Sequence, residues 1–208
     1  MRARQTIVDQ ASEAERSGER QWIEAAIRHL AKANVDDIRI EELSRELGVS
    51  KGSFYWHFRN REHLLDRVLE YWLDRATLQV TRWAREGQPG AREKLARILS
   101  LPAKAPPEKR GADLEMAIRS WARRDVRAAD MVQKVDGIRA EFLHELMREL
   151  GFEGDEVRRR AMIAQAFMLG EAFLKLGTSR VERLEAVAIC TEMLAAGRLD
   201  QDSGDPDL

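Results

Sequence analysis

One stretch of this chain decides its fold, and it reads Gly48-Val49-Ser50-Lys51-Gly52-Ser53-Phe54-Tyr55-Trp56-His57-Phe58-Arg59-Asn60-Arg61. Gly48 predicts the left-handed end of one helix, and Ser50 predicts the N-cap of the next. The stretch holds no aspartate or glutamate, although 34% of the chain is charged. Cationic side chains without opposing acids suit a polyanionic partner, so the pattern predicts a helix that contacts DNA.

A helix on the N-terminal side of this turn completes a two-helix motif. Ile40, Leu43 and Leu47 follow a helical period and predict one apolar face. After the turn, Phe54 and Phe58 stand four residues apart and are expected to face inward together. Two helices joined by a sharp glycine turn form a helix-turn-helix, whose second helix enters the major groove of DNA.

The second helix and its flanks supply the candidate DNA contacts. The N-terminal residues of this helix are expected to meet base edges, whereas Tyr55 and His57 can donate to phosphate oxygens. Arg61 stands at the start of the following helix, whose N-terminus also attracts phosphate. The candidates taken from this motif are Ser50, Lys51, Gly52, Ser53, Tyr55, Trp56, His57 and Arg61.

Several of these residues also have ordinary structural interpretations. Tyr55 and Trp56 could simply be packing aromatics, and Lys51 could be a solvated residue at the start of a helix. A lone histidine such as His57 is usually a surface or core residue, and only its position in the motif favours a DNA contact. These alternatives stay open at the level of sequence.

Nearly every segment of the chain shows a helical period, which predicts an all-α fold. Asn34 is expected to end the first helix in the left-handed conformation, and Asn60 to cap the long fourth helix. Gly87 and Pro89 are expected to stop that fourth helix, and a loop is expected over 102–111. The predicted helices span about residues 19–33, 40–47, from 51 onward, 60–86, 91–101, 112–123, 126–150, 155–176 and 181–196.

Composition limits the possible functions. A chain of 208 residues with 44% hydrophobic content can bury an ordinary core, and a net charge of -1 leaves DNA affinity to local charge placement. The single cysteine, Cys190, excludes an internal disulfide. Met1 to Arg20 lacks an apolar signal segment, and polar residues interrupt the apolar run 161–176. We therefore expect a cytoplasmic protein without a membrane span.

Enzyme and metal chemistry find no support in the sequence. The chain has no glycine-rich phosphate loop, no His-Glu-x-x-His motif and no nucleophile elbow. Its four histidines lack the spacing of a metal site, because His57 and His63 fall on different predicted helices. We therefore expect neither catalytic activity nor a metal or other cofactor.

The run from Leu43 to Leu65 resembles the DNA-binding domain of TetR-family transcriptional regulators. The resemblance rests on the turn glycine, the aromatic cluster beginning at Tyr55, the inward phenylalanine, and Asn60 with the basic residue and paired leucines that follow. It covers about residues 19–65. It implies an all-α homodimer whose three N-terminal helices bind a palindromic double-stranded operator. The larger C-terminal domain would bind a small effector that releases the DNA.

The resemblance also implies roles by position. The positions that read bases and approach the backbone match Lys51, Gly52 and Tyr55. The positions that contact phosphates match Ser50, Ser53, His57 and Arg61. Two residues depart from the family pattern: Arg39 replaces the usual Thr or Ser cap and is expected to reach a phosphate instead, and Asn34 replaces a common glycine.

The helical pattern and the resemblance together predict four parts of the chain: a flexible arm at 1–18, a helix-turn-helix DNA-binding domain at 19–64, an effector-binding and dimerisation domain at 65–199, and a mobile tail at 200–208. The helices at about 155–176 and 181–196 have more apolar surface than one buried face needs. They resemble the pair that forms the four-helix dimer interface of the family. The alternative is that both faces pack within one subunit.

The effector pocket is the least legible part of the sequence. Large apolar side chains are expected to line it and a few polar ones to orient the ligand, which predicts a small apolar or amphipathic effector. The same residues could instead be ordinary core or solvated surface. The candidates are Trp72, Arg119, Trp121, Arg139, Phe142, Gln165 and Met168.

The leading functional hypothesis is a homodimeric repressor that a small molecule releases from its operator. One alternative is a TetR-like architectural or division-linked protein that binds DNA without an effector. Another is a helical protein whose motif has lost DNA binding, although the absence of acids between Gly48 and Arg61 argues against it.

Overall fold

The computed structural model of the chain describes residues 17–105, 111–174 and 177–197. Every regular element in these ranges is helical, so the prediction of an all-α fold is confirmed. The expected arm at 1–18 and tail at 200–208 fall almost wholly outside the described residues. The helices are α1 (17–30), α2 (Ile40–Leu47), α3 (Lys51–His57), α4 (Arg61–Leu73), α5 (Gln79–Arg85), α6 (Ala91–Leu99), α7 (Leu101–Lys104), α8 (Gly111–Trp121), α9 (Val126–Glu149), α10 (Gly154–Phe173) and α11 (Arg180–Ala195).

The chain divides into two compact units. The first consists of the residues up to Ala76 together with Asp113–Lys134, and the second consists of Thr77–Ala112 together with the residues from Val135 onward. The first unit therefore includes most of α8 and the first residues of α9 as well as α1 to α4.

An aromatic core holds the helix-turn-helix in the first unit. Trp22 of α1 meets the Phe54 ring edge-on, with the ring centroids 5.3 Å apart, and Phe54 stacks on Phe58 at 5.1 Å. None of the three side chains is more than 2% exposed. Such aromatic pairs add about 0.5–1.5 kcal/mol each beyond the area they bury. This packing fixes the face that α3 turns inward, and so it also fixes the face that α3 leaves outside.

The turns around α3 form as the sequence predicts. Gly48 ends α2 in the left-handed conformation, with φ of 67°. The Ser50 hydroxyl caps α3 by accepting from the Ser53 amide at 3.3 Å, and the Asn60 side chain caps α4 by accepting from the His63 amide at 2.9 Å. Each such cap stabilises its helix by about 1 kcal/mol.

Two local predictions are wrong. Asn34 is extended, with φ of −83°, because it caps a short 3-10 turn (Val35–Asp37) by pairing with Asp37 instead of ending α1 in the left-handed conformation. Pro102 does not begin a loop, because it occupies the first turn of α7, where a missing amide hydrogen costs nothing.

The helix that the sequence predicts over 60–86 ends as expected. Its last part is α5, which stops at Arg85 with Glu86 as the C-cap, and Gly87 follows with φ of 77°. It is not uniform, however, because a π-helical segment, Asp74–Leu78, lies between α4 and α5. Thr77 in this segment is fully buried, and its hydroxyl has no hydrogen-bond partner among the described residues. π-Helical turns within α-helices are often functional.

The second unit has its own apolar core, with a buried arginine beside it. Arg160 on α10 is 3% exposed and pairs with Glu156 at 2.7 Å. Its guanidinium also donates to the Leu194 carbonyl at 2.8 Å and lies 3.9 Å from the centre of the Phe152 ring. Arg160 therefore ties α10 to the last carbonyls of α11, which a helix leaves unpaired. Large buried members of this core are Leu95, Ile98, Leu99, Phe142, Leu143, Leu146, Met147, Val157 and Leu194.

Candidate nucleic-acid interface

Helix α3, the second helix of the helix-turn-helix, has one buried face and one exposed aromatic face. Phe54 is fully buried, whereas its neighbours Tyr55 and Trp56 are 62% and 84% exposed. A single exposed apolar residue is ordinary on a protein surface, but here two adjacent aromatic side chains of one short helix are exposed. Trp56 therefore does not pack within this subunit, which was the alternative that the sequence left open.

Tyr55 and Trp56 are presented in different surroundings. The Tyr55 ring contacts the buried Phe54 ring edge-on, at a centroid distance of 5.2 Å, so the core orients Tyr55. Trp56 lines an open depression together with Ser50, Gly52, Ser53 and His57. The absence of a side chain at Gly52 keeps this depression open at the N-terminal end of α3, where base edges are read.

Lys51 projects from the first position of α3 and is already paired. Its ammonium nitrogen lies 2.6 Å from a carboxylate oxygen of Glu41 in the first turn of α2, and both side chains are more than half exposed. The hydrogen bond from Lys51 lowers the pKa of Glu41, with smaller contributions from a backbone bond and from Arg39. Glu41 is therefore an ionised acceptor beside Lys51, and the sequence motif does not reveal it.

His57 is half-buried and faces α1. A Cβ atom built at Gly18 would lie 2.8 Å from Nε2 of His57, so the glycine lets the imidazole approach the α1 backbone. This contact gives His57 a structural role as well as the expected phosphate contact. The two roles use the same ring, and the DNA contact remains a proposal.

Arg61 is committed to the protein backbone in this structure. Its Nε donates to the Ile38 carbonyl at 2.9 Å, and one Nη donates to the Val35 carbonyl at a short distance. The other Nη pairs with Glu62 at 2.9 Å. The expected phosphate contact would have to replace or share these bonds, so Arg61 holds the 3-10 turn to the start of α4.

Arg39 is exposed at the N-cap position of α2 and makes no side-chain capping bond. The first turn of α2 therefore lacks a side-chain cap, as expected from a sequence with arginine in place of Thr or Ser at this position. Its guanidinium is one of the charges that act on the nearby Glu41 carboxylate. A phosphate contact by Arg39 remains a prediction.

Comparison with known proteins shows which proteins this motif resembles. Residues 23–68 match the family model described as "Bacterial regulatory proteins, tetR family". This segment is therefore similar to the TetR family of regulators. A 48-residue segment is 42% identical to the class A tetracycline repressor protein of transposon 1721 from Escherichia coli, covering 23% of this chain and 22% of that one. The chain spans only 18% to 43% of the length of the curated relatives it matches.

Solved structures extend the likeness in fold to most of the chain. A transcriptional regulator from Saccharomonospora viridis in complex with choline aligns with a TM-score of 0.73 and 19% identity, over 87% of this chain and 96% of that one. FadR from Bacillus subtilis in complex with stearoyl-CoA aligns with a TM-score of 0.62 and 18% identity, over 86% and 98%. At such identities the likeness concerns the fold.

The candidate effector residues divide between the two units of the chain. In the first unit, Trp72 and Trp121 are almost fully buried, and Arg119 pairs with the buried Glu115 at 2.9 Å. In the second unit, Phe142 is buried and belongs to the apolar core. Arg139 lies 4.0 Å from Asp136, and both Gln165 and Met168 are partly exposed on α10. Their role in ligand binding remains a prediction.

Sequence reasoning did not single out Arg127, which pairs with three carboxylates in the first unit. It donates to Asp125, Glu62 and Asp66, at 2.8 Å and 2.9 Å for the two aspartates. The bond from Arg127 lowers the pKa of Asp125 to about 2, and Asp125 also accepts from the first amides of α9. An aspartate two residues before an arginine at a helix start was the available signal.

The described part of the chain holds neither a metal-binding cluster of side chains nor a membrane-spanning helix. Nowhere in it do three or more histidine, cysteine, aspartate or glutamate side chains gather as a metal-binding group. None of the described helices combines the length and apolarity that a bilayer crossing requires.

Proposed function

We propose that this protein is a homodimeric transcriptional repressor that binds a palindromic DNA operator and is released from it by a small-molecule effector. The observation that carries the proposal is the exposed face of α3, where Trp56 and Tyr55 stand 84% and 62% exposed above a buried phenylalanine core. An acid-free helix with exposed donors and aromatics fits the major groove and its phosphates.

Surface composition of the second unit supports a homodimer. Apolar side chains on α10 and α11 are left open, including Met162 and Met193 at 68% exposed and Ile189 at 62%. Isolated exposed apolar residues are ordinary, but a set along two neighbouring helices is typical of an interface. Two copies of this pair would form a four-helix interface with two-fold symmetry, which suits a palindromic site.

The effector part of the proposal rests on two observations. Relatives of the same fold have been crystallised with choline and with stearoyl-CoA, and those ligands belong to those proteins. In this chain, α4 follows α3 after Asn60. The π-helical segment interrupts the continuation of α4, and the Thr77 hydroxyl in this segment has no hydrogen-bond partner among the described residues. A ligand that changes this helix would act on the spacing of the reading helices, which must match about 34–36 Å or a multiple of it.

Selection of bound duplexes from a random pool tests DNA recognition and identifies the operator in the same experiment. We expect an enriched palindrome that the dimer protects in a footprint upstream of the chain's own coding region. The control is the Trp56→Ala, Tyr55→Ala double variant, which should keep its melting temperature because both side chains are exposed. Enrichment of no sequence by the folded wild type would overturn the proposal.

A ligand screen tests the regulatory part separately. We expect a small apolar or amphipathic compound to raise the melting temperature of the protein and to release the selected duplex. Palindrome binding that no stabilising compound weakens would instead favour an architectural DNA-binding protein without an effector.

A further inference from the structure

The Lys51–Glu41 pair places a hydrogen-bond donor and a hydrogen-bond acceptor side by side at the start of the reading helix. The ammonium nitrogen and the carboxylate oxygen are 2.6 Å apart, and both side chains are more than half exposed. Exposed pairs of this kind contribute little to stability, usually about 0–1 kcal/mol. Stability therefore gives a weak reason for placing an acid at a surface that approaches a polyanion.

The edge of a G·C base pair in the major groove presents the complementary arrangement. Guanine offers the acceptors O6 and N7, and cytosine offers the N4 amino donor next to O6. Lysine donates to guanine acceptors, and a glutamate carboxylate accepts from the cytosine amino group. The two protein groups are separated by a hydrogen-bonding distance, as O6 and N4 of the paired bases are.

The surroundings keep Glu41 an acceptor. The hydrogen bond from Lys51 lowers the pKa of Glu41, so the carboxylate stays ionised at neutral pH. Glu41 also lies in the first turn of α2, where the helix dipole favours negative charge, and Arg39 lies near enough to oppose its repulsion from phosphates. A carboxylate held in this way can be brought to a base edge at a tolerable electrostatic cost.

We propose that Glu41 and Lys51 together read one G·C base pair in each half of the operator, with Glu41 accepting from cytosine N4 and Lys51 donating to guanine. Glu41 is then a specificity-determining residue, and not only a neighbour that neutralises the lysine. This inference rests on the proposed function, because it requires that α3 enter the major groove.

The experiment compares the DNA sequences selected by the wild type, Glu41→Ala and Glu42→Ala proteins. Glu42 is the matched control, because it is also an exposed acid in the first turn of α2. The wild type and Glu42→Ala should select the same palindrome, with one G·C pair per half-site that Glu41→Ala selects less strongly. Replacing that pair by A·T should weaken wild-type binding about tenfold or more, and should weaken Glu41→Ala binding less, because only the contact of Lys51 is then lost.

A duplex with 2-pyrimidinone in place of that cytosine sharpens the comparison, because this base lacks the N4 amino group. We expect it to weaken binding by the wild type and Glu42→Ala but not by Glu41→Ala. Identical sequence preferences for all three proteins would overturn the inference, as would an affinity gain in Glu41→Ala that is equal for every sequence. If the wild type selects no sequence at all, the proposed function itself fails.

Discussion

At the scale of single residues, the helix-turn-helix contains two groups of side chains: those that hold the motif together and those that stay exposed. Phe54 and Phe58 are buried, whereas Tyr55 and Trp56 are exposed on the same short helix. Arg61 belongs to the first group in this structure, because its guanidinium donates to two backbone carbonyls. The geometry thus gives one expected phosphate ligand a structural role.

The role of Arg61 predicts a loss of stability on conservative substitution. Arg61→Lys replaces two separate guanidinium nitrogens by one ammonium nitrogen, which cannot occupy both of their positions beside the two carbonyls. We expect the free energy of unfolding to fall by about 1–2 kcal/mol, as for lost hydrogen bonds to a charged group. Denaturant unfolding monitored by circular dichroism measures this change.

Arg59→Lys is the control, since Arg59 is an exposed residue at the end of the same motif. Its unfolding free energy should change by less than about 0.5 kcal/mol. Equal effects of the two substitutions would contradict the structural role of Arg61.

At the scale of elements, the start of α9 is bound to α4 through Arg127. The cluster of Arg127 with Asp125, Glu62 and Asp66 lies wholly within the first unit. Since α4 directly follows the reading motif, this cluster helps to hold the element that supports α3. The contribution of this cluster to the free energy of unfolding should therefore change at acidic pH.

The cluster predicts a specific dependence of stability on pH. The bond from Arg127 holds the pKa of Asp125 at about 2 in the folded protein, below the value of about 3.9 for an unfolded aspartate. Asp125 therefore stabilises the folded state above about pH 4, and this contribution is lost as the pH falls towards 2. We expect the wild type to lose more unfolding free energy over this interval than Arg127→Gln does. Parallel pH profiles of the two proteins would contradict the assignment.

The π-helical segment predicts that one buried hydroxyl can be removed without loss. Thr77→Val removes a buried group that has no partner among the described residues, so the unfolding free energy should stay the same or rise by about 1 kcal/mol. Thr191→Val is the matched control, because the buried Thr191 hydroxyl donates to the Val187 carbonyl at 2.8 Å. We expect that substitution to destabilise the protein. Thermal unfolding of both variants checks the contrast, and destabilisation by Thr77→Val would count against it.

At the scale of the whole molecule, the proposed dimer predicts a change of mass in solution. Ile189→Glu puts a charge on the open apolar surface of α11 and should convert a dimer to a monomer, because an unpaired charge in an interface is costly. Met116→Glu alters a half-exposed apolar residue on α8 instead and should stay dimeric. Equilibrium sedimentation distinguishes these outcomes, and a monomeric wild type would contradict the proposed dimer.

Sequence patterns predicted most of the helices and little of the polar network. Caps at Ser50 and Asn60 follow from side chains acting on their own backbone neighbours, so a local pattern suffices. Asn34 was misassigned because a capping partner three residues later outweighed its left-handed preference. By contrast, Arg61 and Arg127 bind several partners that lie 23 to 65 residues away in the chain. Such pairings depend on how the helices pack against one another. No local pattern in a single sequence predicts that packing.

The central claim is that the exposed face of α3 reads DNA, and the affinity of one variant tests it most directly. The measurement is a titration of the selected palindrome with the wild type and Tyr55→Ala across a range of salt concentrations. We expect steep salt dependence for both proteins and affinity about tenfold or more weaker for Tyr55→Ala, with an unchanged melting temperature. Undiminished binding by a folded Tyr55→Ala protein would contradict the account.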